Sequence, residues 1–559
     1  MAILTQKAAR LLASSAVLAL AGCNGADNVA SPGAGSIEII SPAPTPTPAP
    51  TATPTPSAIT AAQFASTSGQ SFTPTGGTQQ QFTITADEQL AIVNAGTNNN
   101  VNGVGSTVNG IYPTSATSLA TAVDPTTINS FFTSTNFVGA LNGPSDTAFQ
   151  GWTCSSTSAE FGGSGARCTA VPAVGTLAAG TACPTGTNTP TGTVTGAADV
   201  ATVGGFKVCD IPQVVSTSLT LPRIAGIAYR FTGQTEVGPN NVGTTGADTG
   251  VTLTIAAGAV LFANANEPTN DLLLVNRGSK IAANGTRDNP IIFTSQQNMS
   301  ANGVSDATQG QWGGIILLGR APTAVCAAGT GPNDAAGSST SCQQQIEGVT
   351  GRFYGGPRAD DSSGIMSYVQ IRYSGIAISD GNELQGLTLG GTGSGTTLDH
   401  IQSHNSADDG VEIFGGATNI KHFASTGADD DGFDIDNGYR GFIQFMIAAQ
   451  RTIGATADSF STEIDSNGNE DLLPRTFGNY ANFTFIQTAA APAAIRLRGG
   501  ADMRFVNGVV KSPANVACVN LIAQGASATD RSTVRAADSS RQDNGPPIFN
   551  SIYFACNGR

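Results

Sequence analysis

The sequence predicts an all-β chain built as a right-handed parallel β-helix, with a loop-rich, disulfide-pinned region before it. Three observations predict this. First, a short segment repeats: Asp408-Asp409-Gly410-Val411-Glu412-Ile413 recurs 22 residues later as Asp430-Asp431-Gly432-Phe433-Asp434-Ile435. A period in the low twenties with two apolar runs per unit marks a solenoid coil, which is too small to bury its apolar side alone and must stack on its neighbours. Second, two series of alternating runs extend the repeat. One holds Tyr368–Ile371, Leu398–Ile401, Ile420–Phe423, Phe442–Phe445, Asn482–Phe485 and Met503–Val506; the other holds Leu387–Leu389, Val411–Ile413, Phe433–Ile435, Thr462–Ile464 and Ile495–Leu497. Alternation of this kind reads as half-buried strand. Third, Gly-Gly or Asn-Gly follows many of the second runs, as at Gly390-Gly391, Gly415-Gly416 and Asn437-Gly438. Such pairs provide the positive φ of sharp corners. Parallel connections are right-handed, which sets the expected hand.

The preceding chain divides by composition. Residues 1–22 read as an export signal: Lys7 and Arg10, then a short apolar stretch Leu11–Leu20, too short to span a bilayer. Leu20-Ala21-Gly22-Cys23 looks like the lipobox of bacterial lipoproteins. That resemblance implies lipidation at Cys23, and Asn24 in place of Asp implies the outer membrane. Residues 23–57 contain SPAPTPTPAPTATPTPS, a Pro/Thr tether of extended polyproline II. Residues 58–215 form the loop-rich region, expected to pack on or cap the solenoid, and 216–559 the β-helix. Apart from Cys23 there are eight cysteines, Cys154, Cys168, Cys183, Cys209, Cys326, Cys342, Cys518 and Cys556. An even number in an exported chain reads as disulfides, and sequence neighbours suggest 154–168, 183–209, 326–342 and 518–556. Only 11% of residues are charged and the net charge is −14, which argues against a nucleic-acid partner or an anionic membrane surface.

Acidic residues concentrate in the repeat. Thirteen acids lie between Asp408 and Asp471, opposed by Lys421, Arg440 and Arg451. Stacking places equivalent positions about 4.8 Å apart on successive coils. At that spacing two carboxylates repel by about 3 kcal/mol at an effective dielectric near 20. The column therefore needs solvent, donors, protons or a cation. Calcium, which takes six to eight oxygens, is the specific reading. Its candidate ligands are Asp408, Asp409, Asp430 and Asp431, with a second set, Asp465, Asn467, Asn469 and Asp471, at alternating positions. The plainer reading is that these aspartates accept backbone N–H bonds at the corners. His400 and His422 are also 22 apart and are expected to stack as a polar ladder, with Gln444 on the next coil.

NRGSKIAANGTRDNPIIFTS, GQWGGIILLG, NELQGLTLGGTGSGTTLDHIQ and the two Asp-Asp-Gly segments resemble a family of exported bacterial β-helix lipoproteins with a pectate-lyase-like fold. The resemblance covers roughly Val251 to Asp465 and implies fold and location. Family members carry an FVGA…GWT-like segment after the helix, whereas here Phe137–Thr153 precedes it. A second resemblance concerns chemistry. Asp431–Asp434 and Asp408–Val411 look like motifs of polygalacturonase-type glycosidases, in reverse order, and Arg496-Leu497-Arg498 loosely like a third; no His-containing motif follows. It implies Asp408, Asp409, Asp431, Asp434, Arg496 and Arg498 as the catalytic set of a hydrolase or a calcium-dependent lyase. The favoured expectation is a lipid-anchored outer-membrane surface that binds glycan or an envelope protein without catalysis. The alternatives are the enzyme and a purely structural envelope protein.

Overall fold

The computed structural model describes residues 122–555 apart from short stretches, the longest of which are 160–166, 191–201, 264–270, 327–340 and 522–532. Cys23, the tether, Asn467, Asn469 and Cys556 lie outside the described residues.

Two long parallel sheets run the length of the solenoid. One is built from short strands: Gln234–Val237, Leu272–Val275, Ile315–Leu318, Leu387–Gly390, Val411–Phe414, Phe433–Asp436, Thr462–Ile464, Ala493–Leu497 and Ala517–Leu521 stack in that order. The 22-residue period is the register itself, with Val411 opposite Phe433 and Ile413 opposite Ile435. Alternate residues, including Leu389, Ile413, Ile435, Ile464 and Leu497, enter the core, and those between them face outward.

The second sheet carries the longer strands Gly364–Arg372, Thr397–His404, Asn419–Thr426, Phe442–Ala449, Asn479–Ile486, Arg504–Lys511 and Ile548–Ala555. Each long strand is two walls of the coil joined at a single residue. Lys280–Asn284 and Ile291–Ser295 are separate strands in an early coil, and Gly364–Arg372 pairs with both. The join is left-handed: Tyr368, His400, His422, Phe445, Asn482, Asn507 and Ser551 all have φ between 49° and 62°. Non-glycine residues rarely occupy that region. Seven in register form a corner ladder whose side chains stack coil upon coil. Parallel pairing begins with Phe206–Asp210 against Ile227–Arg230, upstream of the expected start at residue 216.

The segment from Ala122 to Ser156 does not cap an end of the helix. It lies along the corner ladder as a strap. Long amide side chains of the coils clamp its backbone: Asn507 pairs with both N–H and C=O of Val123, Gln444 with both of Thr133, and Gln402 with both of Cys154. Asn482 Nδ2 donates to the carbonyls of Phe137 and Gly139. Trp152 is fully buried against Tyr368 and His400, and Trp312 is also buried, so neither ring is presented as a platform for a sugar. Disulfides join Cys154–Cys168, Cys183–Cys209 and Cys326–Cys342. Cys518 is also disulfide-bonded.

Candidate functional site: an acidic ladder on the short-strand sheet

The outward ladder position of the short-strand sheet reads, coil by coil, Thr388, Glu412, Asp434, Glu463, Arg496, Asn520. Earlier coils carry Leu274 and Ile316 at the same position, beneath Ile346, Val349, Tyr354 and Leu384 of the chain that returns after the Cys326–Cys342 loop. The coil before them carries Glu236 at the same position, paired with Arg352, so the outer face is apolar and covered at Leu274 and Ile316 and acidic again from the coil of Glu412.

The Asp-Asp-Gly corner brings a second row of acids beside this ladder. Asp409 Oδ1 accepts from the backbone N–H of Asp431 at 2.8 Å, and Asp431 Oδ1 accepts from that of Phe460 at 2.5 Å. Each of these aspartates caps the corner of the next coil, so the two are stacked and not on unrelated elements. The glycine that follows has a steric cause: a Cβ on Gly410 would sit 2.0 Å from Ser425 Oγ and 2.8 Å from the carbonyl of Gly432.

Capping engages one oxygen each of Asp409 and Asp431 and leaves the carboxylates crowded against one another. Carboxylate oxygens of Asp408, Asp409 and Asp430 lie within 4.8 Å of one another, as do those of Asp409, Glu412 and Asp434. Burial, followed by neighbouring carboxylates, pushes Asp409, Glu412, Asp431 and Asp434 well above the usual carboxylate range. Asp408 rises to about 8 through burial and then Asp430, Glu383 and Glu347; Glu347 rises to about 8 through burial and then Glu383; Asp430 rises to about 7 through burial and then Glu463. The side-chain amide of Gln385, 1% exposed, donates to Glu412 Oε2, while its Oε1 has no hydrogen-bond partner. The carboxylate trios are all-oxygen sets of the kind hard cations take.

One end of the ladder is neutralised. Arg496 lies 3.1 Å from both Asp458 and Glu463, and Arg498 pairs with Glu463 and lies 3.4 Å from Asp465. Of the second candidate set, Asp465 lies beside Arg498 and Asp436, and Asp471 pairs with Arg475 at 3.2 Å and with Arg541. Of the six residues implied as a catalytic set, Asp408, Asp409, Asp431 and Asp434 fall in one acidic cluster, and Arg496 and Arg498 lie further along, in ion pairs. Sequence reasoning missed Glu347, Glu383 and Gln385. They stand on or next to excursions from the coils, outside the repeat, so periodicity gives no signal for them.

The family description "Pectate-lyase like beta helix domain" matches residues 239–542. The chain belongs to that family. The matched span includes every coil from Leu272–Val275 to Ala517–Leu521 and the whole acidic ladder. Comparison with curated proteins and with solved structures finds no match. In this pectate-lyase-like β-helix the acidic ladder lies on the outer face of a parallel sheet, with Asp409, Glu412, Asp431 and Glu463 themselves buried.

Proposed function

We propose that this pectate-lyase-like β-helix is a lipoprotein, anchored through Cys23 in the outer membrane, whose acidic ladder binds calcium and whose flank binds a glycan or an envelope protein. The observation that carries the calcium reading is the two carboxylate trios, Asp408–Asp409–Asp430 and Asp409–Glu412–Asp434, that share Asp409, with no lysine or arginine paired to any of them among the described residues. Buried charges of one sign must neutralise or take a counter-ion. Oxygen donors at this density favour calcium over softer metals. The binding reading is supported over a polysaccharide lyase because Arg496 and Arg498, the bases such chemistry would need, are held by Glu463, Asp458 and Asp465.

The test is titration of chelator-stripped protein with calcium in a calorimeter, followed by a glycan screen with and without calcium. Saturable calcium binding that Gln385→Leu weakens supports the site. Absence of calcium binding sinks it, and release of unsaturated or reducing sugar from a polysaccharide sinks the non-catalytic reading. Mass spectrometry of membrane-extracted protein checks the anchor: an unmodified Cys23 removes it.

A further inference from the structure

A second constellation lies on the opposite side of the coil, at the corner ladder. His400 and His422 occupy equivalent left-handed positions on adjacent coils, and their rings stack with centroids 4.1 Å apart. Tyr368 stacks on one side at 4.2 Å and Phe445 on the other at 4.6 Å, so the next coil offers a phenyl ring where Gln444 was expected. Trp152 and Phe149 of the strap meet the two imidazoles edge-on at 5.3 Å and 6.0 Å. The rings are thus held between aromatic neighbours.

Both Nδ1 atoms face one carboxylate. His400 Nδ1 and His422 Nδ1 each lie 2.8 Å from Asp399 Oδ1, and the three ligand atoms lie within 4.8 Å of one another. As a hydrogen-bonded triad the group is incomplete. The contact from His422 is aligned, but His400 Nδ1, buried and at the same distance, has no aligned hydrogen-bond partner. Near-parallel rings 4.1 Å apart do not aim both nitrogens at one point, so sharing a single atom, whether oxygen or metal, requires one ring to tilt. The nearest ammonium does not resolve this: Lys421, paired in register with Asp399, turns its Nζ to Thr133 Oγ1 at 2.9 Å and over the Phe131 ring. The side chains of Asp399, His400 and His422 are 35%, 16% and 18% exposed, open enough for a hydrated ion to enter.

We infer that Asp399, His400 and His422 form a transition-metal site, taking zinc or a similar borderline ion through two imidazole nitrogens and one carboxylate oxygen, with water completing the set. Two nitrogens and one oxygen select against calcium and magnesium and suit zinc. The site is chemically distinct from the acidic ladder. It lies where the strap crosses the coils, so metal binding ties Phe149 and Trp152 to two coils at once.

The experiment uses the whole protein, stripped with chelator and titrated with zinc, with imidazole signals followed by NMR. The chain has three histidines, which makes the readout specific. Zinc at one equivalent is expected to shift the His400 and His422 rings and leave His404, which is buried against Thr426, unmoved. His400→Gln, His422→Gln and Asp399→Asn should each weaken zinc binding by more than about tenfold, the loss that even an outer partner of a metal ligand carries. Asp360→Asn, at an exposed position outside both constellations, should bind zinc as the unaltered protein does. The inference is overturned if the unaltered protein takes up no zinc, if the rings do not move on zinc addition, or if Asp434→Asn, in the acidic ladder, and not the corner variants abolishes uptake. The ring shifts are read on unaltered protein, so the test survives a variant that fails to fold.

Discussion

Asp434→Asn should change stability in opposite directions depending on whether calcium is present. Oxygens of Asp409, Glu412 and Asp434 lie within 4.8 Å of one another. At an effective dielectric near 20, each ionised pair then repels by about 3 kcal/mol or more, about 10 kcal/mol for three pairs. That is comparable to the whole stability of an ordinary domain, about 5–15 kcal/mol. Without a cation the trio must therefore hold protons. Asparagine at 434 deletes two of the three repulsions, and the gain is capped by the cost of protonating a carboxyl instead, about 5 kcal/mol at pH 8 for a group that ordinarily titrates near 4. In chelator at pH 8 the variant should melt several degrees above the unaltered protein. In calcium at about a hundredfold over its dissociation constant the unaltered protein gains about 2.7 kcal/mol, and the variant, having lost a ligand, should gain much less. Differential scanning calorimetry of both proteins in chelator and in calcium reads the four states. A variant less stable in chelator, or an unaltered protein whose melt ignores calcium, refutes the electrostatic account.

The same carboxyls give a pH dependence of definite sign. Their folded pKa values are raised, to about 7 for Asp430 and about 8 for Asp408 and Glu347, so between pH 4 and 8 the folded state binds more protons than the unfolded one. Stability without a cation should fall as pH rises through that window, and calcium should flatten the slope; a chelated melt that improves from pH 5 to 8 contradicts this. Gly410→Ala places a Cβ 2.0 Å from Ser425 Oγ and should cost about 1–3 kcal/mol by overpacking, measured as a lower denaturation midpoint. Gln402→Leu removes both clamps on Cys154 and should release the strap, raising amide exchange around Trp152 with a stability loss of about 1–3 kcal/mol; unchanged exchange there would show that the amide does not hold it. Arg475→Leu strands Asp502 and Asp543, both buried beside the guanidinium, and should cost about 3–5 kcal/mol in a thermal melt.

The sequence alone determined the solenoid. A 22-residue echo, alternating apolar runs and Gly-rich corners are local features, and stacking is the arrangement that buries all of them together. It also fixed the stacking of Asp409 under Asp431 and of His400 under His422, because equal spacing in the chain becomes equal position on adjacent coils. Neighbouring cysteines paired as expected at 154–168, 183–209 and 326–342, since short loops bring such cysteines together.

Only the tertiary structure decided what lies across from what. That residues 122–156 form a strap clamped by Gln402, Gln444 and Asn507 depends on contacts more than 240 residues apart, for which no period exists. That Glu347, Glu383 and Gln385 join the acidic cluster depends on the path of chain that leaves the coils and returns. That Arg496 and Arg498 neutralise one end of the ladder while the other end stays bare depends on which side of each strand faces outward. Charge pattern in the chain gives the number of carboxylates; their energetic meaning comes from burial and from the distance to the nearest base, and both are set only when the coils are stacked.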